Sequence, residues 1–329
     1  MIRRRALAAA APLLAMAAAR GATAQAPQDT WPSRPLRMVI PWPPGQQTDV
    51  IGRLVAHHLS ERLGQPVVPE NRPGAGGQIG TNAVAKAAPD GHTLLSASSG
   101  PITFGPLVGR TPYDVERELA PVAGFGAAPF ILLVKPDFPA ADLPAFVSLL
   151  KASPGKYSHN SSGVGGAQHL VTALFNAKAG VEALHVPFQG SGPALAALLG
   201  GQVNYGFDTP AAAGRLVAEG QLRALGISTA RPSPLVPGVA PIAAAGGPPD
   251  YDVASWAGVM VPAGTPRPII ERLHAEIRDG LARPELCDRF TAIGMEVAGV
   301  RGPEAFMAQL RELWATFGPL IKQLGIRAE

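Results

Sequence analysis

Leu36-Arg-Met-Val-Ile40, Pro41-Trp-Pro-Pro-Gly-Gln-Gln47 and Thr48-Asp-Val-Ile-Gly-Arg-Leu-Val-Ala-His-His-Leu-Ser-Glu-Arg-Leu63 follow one another without interruption. The first is an apolar run of strand length, and the second is a loop with three prolines and a glycine. In the third, Ile51, Leu54, Val55, His58, Leu59 and Leu63 recur at helical spacing. Thr48 stands where a cap belongs, Asp49 suits the positive end of the helix, and Gly64 and Pro66 end it. Val67 and Val68 open a second strand, followed by the glycine loop 71–77, a helix over 78–87 and a strand over 92–96. Strand, helix and strand in alternation predict a parallel sheet with crossover helices on its faces.

The pattern repeats further along. Strands are expected over 130–134, 158–160, 183–186, 203–207 and 222–227, and helices over 143–152, 166–179, 192–200 and 211–219. The proline-, glycine- and alanine-rich run 231–250 reads as irregular. A strand over 258–261 and helices over 268–282 and 303–324 close the chain. The middle block therefore interrupts another unit. The fold class is α/β with two lobes, each a mainly parallel sheet flanked by helices. Lobe 1 is expected over 25–134 plus 256–329 and lobe 2 over 135–255, so that the carboxyl ends of the strands face a shared cleft.

Composition narrows the function. Of 329 residues 47% are apolar and only 16% charged, too few charges for a disordered or coiled-coil chain. The formal charge of +4 comes from Arg3, Arg4, Arg5 and Arg20; beyond residue 24 the chain holds 24 basic and 24 acidic residues. A neutral body offers no footprint for nucleic acid. The basic start, the alanine-rich run 6–19 and Ala22-Thr23-Ala24 form an export signal cleaved after Ala24. Its apolar run falls short of the roughly 18–20 residues that cross a bilayer. The single cysteine, Cys287, has no internal partner and is expected as a small buried hydrophobe.

Enzyme signatures are missing. Ser96-Ala-Ser-Ser-Gly100 lacks the first glycine of a nucleophile elbow. The seven histidines never fall at metal-binding spacing, and no glycine cluster matches a dinucleotide or P-loop fingerprint, so neither metal nor cofactor is expected. What remains are glycine- or serine-rich loops at strand-to-helix junctions: 43–48, with Gly45, Gln46, Gln47 and Thr48; Ser98-Ser99-Gly100; and 161–166, with Ser162, Gly163, Val164, Gly165 and Gly166. Free amides and the dipole at a helix start bind an anion without arginine or lysine.

Several motifs now resemble one family. Arg34-Pro-Leu-Arg-Met-Val-Ile-Pro-Trp-Pro-Pro-Gly45, Leu63-Gly-Gln-Pro-Val-Val-Pro-Glu-Asn-Arg-Pro-Gly-Ala-Gly-Gly77, Ser161-Ser-Gly-Val-Gly165 and His185-Val-Pro-Phe-Gln-Gly-Ser-Gly-Pro193 are similar to the substrate-binding proteins of tripartite tricarboxylate transporters. The resemblance, which includes the Bordetella uptake gene proteins, runs through essentially the whole chain after residue 24. It implies a monomeric periplasmic protein of Venus-flytrap type that closes on a small organic acid. The acid would be a dicarboxylate, a tricarboxylate, an amino acid or an aromatic acid, handed to a membrane permease of one large and one small subunit. It also implies that loops 43–48 and 161–166 hold the carboxylate, with Ser98, Ser99 and Asp208 as wall residues. Two departures bear on the site: Gln46 stands where the family usually has a second glycine, and Gly166 where it usually has serine. The added carboxamide is expected to reach a polar end of the ligand or to fill space. A sensor subunit for a membrane kinase and an exported hydrolase using Ser98 or Ser162 are the alternative readings.

Overall fold

The computed structural model describes residues 31–323, 325 and 326; the export signal expected over 1–24 lies outside them. The strands are β1 (Leu36–Ile40), β2 (Val67–Asn71), β3 (Thr93–Ser98), β4 (Leu119–Pro129), β5 (Ile131–Val134), β6 (Ser158–Ser161), β7 (Leu184–Pro187), β8 (Tyr205–Asp208), β9 (Arg223–Ile227), β10 (Ala254–Pro262) and β11 (Glu296–Arg301). The helices are α1 (Gln47–Leu63), α2 (Gln78–Ala85), α3 (Gly105–Val108), α4 (Val115–Glu118), α5 (Leu143–Lys151), α6 (Ala167–Ala179), α7 (Ser191–Leu199), α8 (Pro210–Ala218), α9 (Arg267–Leu281), α10 (Pro284–Ala292) and α11 (Pro303–Gln323).

Two sheets result, with strand orders β11-β4-β10-β3-β1-β2 and β7-β6-β8-β5-β9. Each has a parallel half built by crossover helices, β1 with β2 and β3, and β6 with β7 and β8. The other half is antiparallel: β10 against β3 and β4, β11 against β4, and β5 against β8 and β9. The cause is connectivity. Strand β4 leaves the first sheet toward the second, and the chain later re-enters the first sheet as β10 from that same end, so the two must run in opposite directions. Ile131–Val134 pairs in the second sheet, which puts the first crossing at Phe130.

Both crossings meet at Ser228, which is fully buried. Its N–H donates to the Phe130 carbonyl and its Oγ accepts the Phe130 N–H, both at 2.8 Å. The Ser228 carbonyl accepts the Val253 N–H at 2.8 Å, and its hydroxyl donates to the Val253 carbonyl at 2.5 Å. A third link is α11. Its first half packs Phe306 and Leu310 with Val39, Leu95 and Met260 of the first sheet. Its second half shares a core with Phe130 at the crossing, Leu132 of β5 and Phe146 of α5, through Phe317 and Ile321.

Local details depart from the sequence reading. Helix α1 begins at Gln47, not after a Thr48 cap. Gln46 keeps extended backbone (φ −73°, ψ 153°), and its carbonyl accepts from Asp49 and Val50. Asp49 instead accepts from the Gly45 N–H, Arg53 and Asn71. Gly64 ends α1 in the left-handed region as expected. Cys287 is half-buried, because Phe290 is the residue of α10 that enters the core. The Arg223 guanidinium of β9 donates to the carbonyls of Phe138, Ala140 and Ala141, tying the strand to the segment before α5.

Candidate functional site

Helix α1 starts after β1, α6 after β6, α7 after β7 and α8 after β8. These four junctions converge on one cavity. Gln46, Gln47 and Thr48 come from the start of α1, Ser162 from the loop into α6, Ala167 and Gln168 from the first turn of α6, Ser191 from α7, and Thr209 from the residue before α8. Ser98, Ser99 and Gly100 add the turn after β3, while Trp42, Ile51, Phe130, Trp256 and Met295 give apolar walls. The cavity measures about 50 Å³, several times the roughly 10–15 Å³ that one water needs by the same measure. Among the described residues, no lysine, arginine or histidine lines it. Oriented amides and hydroxyls are what it offers, the equipment for a compact anion.

Of the residues singled out from sequence, Gln46, Gln47, Thr48, Ser98, Ser99 and Ser162 come together on this wall. Trp42 Nε1 donates to Ser98 Oγ at 2.9 Å, which fixes the ring as a floor. Gln47 is buried, and its Nε2 donates to the Gly294 carbonyl at 2.9 Å, so it braces the wall beside Met295. Gly45 lies outside, exposed, with its N–H on Asp49.

Gly163, Val164, Gly165 and Gly166 do not line the cavity; their loop meets the glycine loop after β2. An added Cβ on Gly76, in the glycine loop after β2, would overlap the Val164 carbonyl oxygen and lie 2.8 Å from Gly166 N. Backbone thus meets backbone across the cleft, which explains the glycines on both sides. Gly166 precedes α6 with no side-chain cap, consistent with the missing serine hydroxyl.

Asp208 is buried beneath the wall rather than on it. It accepts from the Thr209 N–H at 2.8 Å and from the Ser191 hydroxyl at 3.1 Å. Burial nonetheless dominates and raises its carboxyl from 3.8 to about 7. Sequence reasoning passed over Gln168, Ser191 and Thr209. The signal was there: Gly190-Ser191 and Thr209-Pro210 follow strands and open helices, which is the rule applied to the other three loops.

Neither serine of the hydrolase reading meets a histidine among the described hydrogen bonds: Ser98 holds Trp42, and Gln168 Oε1 accepts the Ser162 N–H at 2.8 Å. The serine that does is Ser161, 2.7 Å from His185 Nε2, but it is 1% exposed and off the cavity wall. His185 stacks between two further rings, 4.2 Å from His169 and 5.0 Å from His159. Burial, then the neighbouring rings, pushes His185 down to about 3. Burial likewise holds His159 at about 4 against a bond from its own element. With Ser161 closed off from the cavity, His159 and His185 pack behind loop 161–166 as a support.

Comparison with known proteins agrees with this geometry. The model of the family described as "Tripartite tricarboxylate transporter family receptor" matches residues 51–326. BugT of Bordetella pertussis is 38% identical over 302 residues, covering 91% of this chain and 92% of that protein. Among solved structures, R. palustris Rpa4515 with adipate is 32% identical with a TM-score of 0.85, covering 90% of this chain and 99% of that one. The periplasmic binding protein BugD is 30% identical with a TM-score of 0.84, covering 91% and 100%. The two sheets are thus the two lobes of a periplasmic binding-protein fold.

Proposed function

Because this chain belongs to the tripartite tricarboxylate transporter receptor family, we propose that it is a non-catalytic periplasmic receptor that closes on a small carboxylate and delivers it to a membrane permease of one large and one small subunit. The observation that carries this reading is the convergence of four helix starts on a cavity without a cationic side chain. Each start contributes unsatisfied N–H groups and a partial positive charge. A carboxylate there exchanges water for several charge-assisted hydrogen bonds inside a closed, low-dielectric space. The structural relative with adipate supports the ligand class.

Closure follows from the same layout. Lobe 1 comprises 31–129 with 254–326, and lobe 2 comprises 130–253. The pivot is the pair of crossings stapled at Ser228, with α11 spanning both lobes. Opening separates the Gly76 loop from loop 161–166 and lets ligand in; the ligand's contacts with both lobes draw them together.

Calorimetric titration of the exported protein with mono-, di- and tricarboxylates tests the reading. The expected result is saturable binding of short acids, no binding of their uncharged amides, and a smaller radius of gyration by small-angle scattering when an acid is bound. If no carboxylate binds, the anion-site reading is wrong; if one binds without compaction, the closure is.

A further inference from the structure

The hydrogen bonds that run from the second lobe to Gln46 have a direction. Gln168 Oε1 accepts the Ser162 N–H, so its Nε2 is the end that faces Ser191, at 2.9 Å from Oγ. Ser191 places its only proton on Asp208 Oδ1. A hydroxyl has one proton and two lone pairs. The group that approaches Ser191 from the opposite lobe must therefore be a donor, and Gln46 Nε2 is there at 3.3 Å. The other end of that amide is turned away from Ser191. Gln46 Oε1 is buried and, among the described residues, accepts no hydrogen bond, although Gln46 lines the cavity.

A buried amide oxygen without a donor is costly, and because Gln46 lines the cavity, an occupant of the cavity is placed to supply one. The remaining wall is neutral. Two carboxyls lie near this group: Asp208 is separated from the cavity by Ser191 and burial favours its uncharged form, while Asp49 is off the cavity wall and engaged by Arg53, Asn71 and the Gly45 N–H, so an ammonium would enter without a free ionised partner. A hydroxyl meets the requirement without that cost.

Resting on the carboxylate reading above, we infer that the ligand is a compact hydroxy acid whose hydroxyl donates to Gln46 Oε1, so that Gln46 sets a preference for hydroxylated acids over their unsubstituted counterparts. The chain specifies this through its own departure from the family pattern: glycine at position 46 would leave neither the bridge to Ser191 nor the acceptor.

The experiment compares matched pairs by titration calorimetry: lactate with propionate, malate with succinate, and 2-hydroxyglutarate with glutarate, with aspartate as the ammonium arm. The chain length that fits should show its hydroxy acid about 10- to 100-fold tighter, the range set by a buried acceptor left unmet. Gln46→Met keeps the length and removes both amide groups. The lost bridge to Ser191 should weaken both acids alike, and the lost acceptor should weaken the hydroxy acid further, bringing the ratio close to one, with thermal unfolding confirming an intact fold. Equal binding within every pair overturns the inference while leaving the carboxylate reading standing, and so does a ratio that survives Gln46→Met. Tighter binding of aspartate than malate overturns the choice of hydroxyl. Failure of all the acids to bind removes the carboxylate reading and this inference with it.

Discussion

Gly76→Ala should weaken every acid by up to about 100-fold and abolish the ligand-induced compaction, while the empty protein loses about the same stability as Gly64→Ala. Gly76 sits at φ +61°, where alanine costs about 1–2 kcal/mol whether the lobes are open or closed. That cost cancels from the binding equilibrium. The overlap of the new Cβ with the Val164 carbonyl does not cancel, because it exists only when the two loops touch. Neither partner is the movable end of a side chain, so the full overpacking cost of about 1–3 kcal/mol falls on the closed state, and its upper end corresponds to roughly 100-fold. Gly64→Ala is the control. It has a similar backbone angle, φ +68°, with open space around its Cβ, and should destabilise without changing affinity. Wild-type affinity and compaction in Gly76→Ala would show that the loops need not meet.

Acid should weaken the fold over a defined range, and Asp208→Asn should make it more sensitive. His159 and His185 titrate near 6.5 in the unfolded chain but at about 4 and about 3 in the folded one. Their neutral packing is fully stabilising above 6.5 and is lost as pH falls. Asp208 works the other way. The unfolded chain gives up its proton near 3.8 and the fold keeps it to about 7, so its contribution is full below 3.8 and fades as pH rises. Between pH 4 and 6.5 the unfolded state therefore holds one more proton than the folded state across these three groups. Stability should rise with pH by about 1.4 kcal/mol per unit. Asp208→Asn removes the opposing group and should bring the slope toward twice that, somewhat less because His185 is partly open to solvent. Denaturant unfolding of both proteins from pH 4.5 to 6.5 measures the two slopes. Parallel profiles would mean that Asp208 is ionised throughout.

Much of the first sheet and the loops of the site could be read locally. β1, α1 and the glycine that ends the helix carry period, caps and turn residues within about 30 positions. β4 could not be read this way. Pro121, Gly124, Gly126 and Pro129 break any alternation, and the strand exists because β10 and β11 pair with it from far along the chain, with register shifts at Trp256/Ala257 and Val259/Met260. β11 was missed for the same reason. At the site, local rules found which loops would offer amides but not which of their residues would face the ligand. Gly163 and Val164 resemble anion-loop residues, yet they meet the opposite lobe. Whether Gln46 met solvent, ligand or protein depended on Ser191, 145 residues away.

The four helix starts carry no net charge, and that has an electrical consequence. A receptor that holds its acid with arginine neutralises it, so empty and loaded forms look alike from a distance. On the proposed reading, a bound dianion would add about two uncompensated negative charges to a chain whose basic and acidic residues balance beyond residue 24. The ligand is hidden once the lobes meet, but its field is not. Loading would then turn a near-neutral particle into an anion that migrates in an electric field. Occupancy is thereby legible at the protein's surface without any contact with the acid inside.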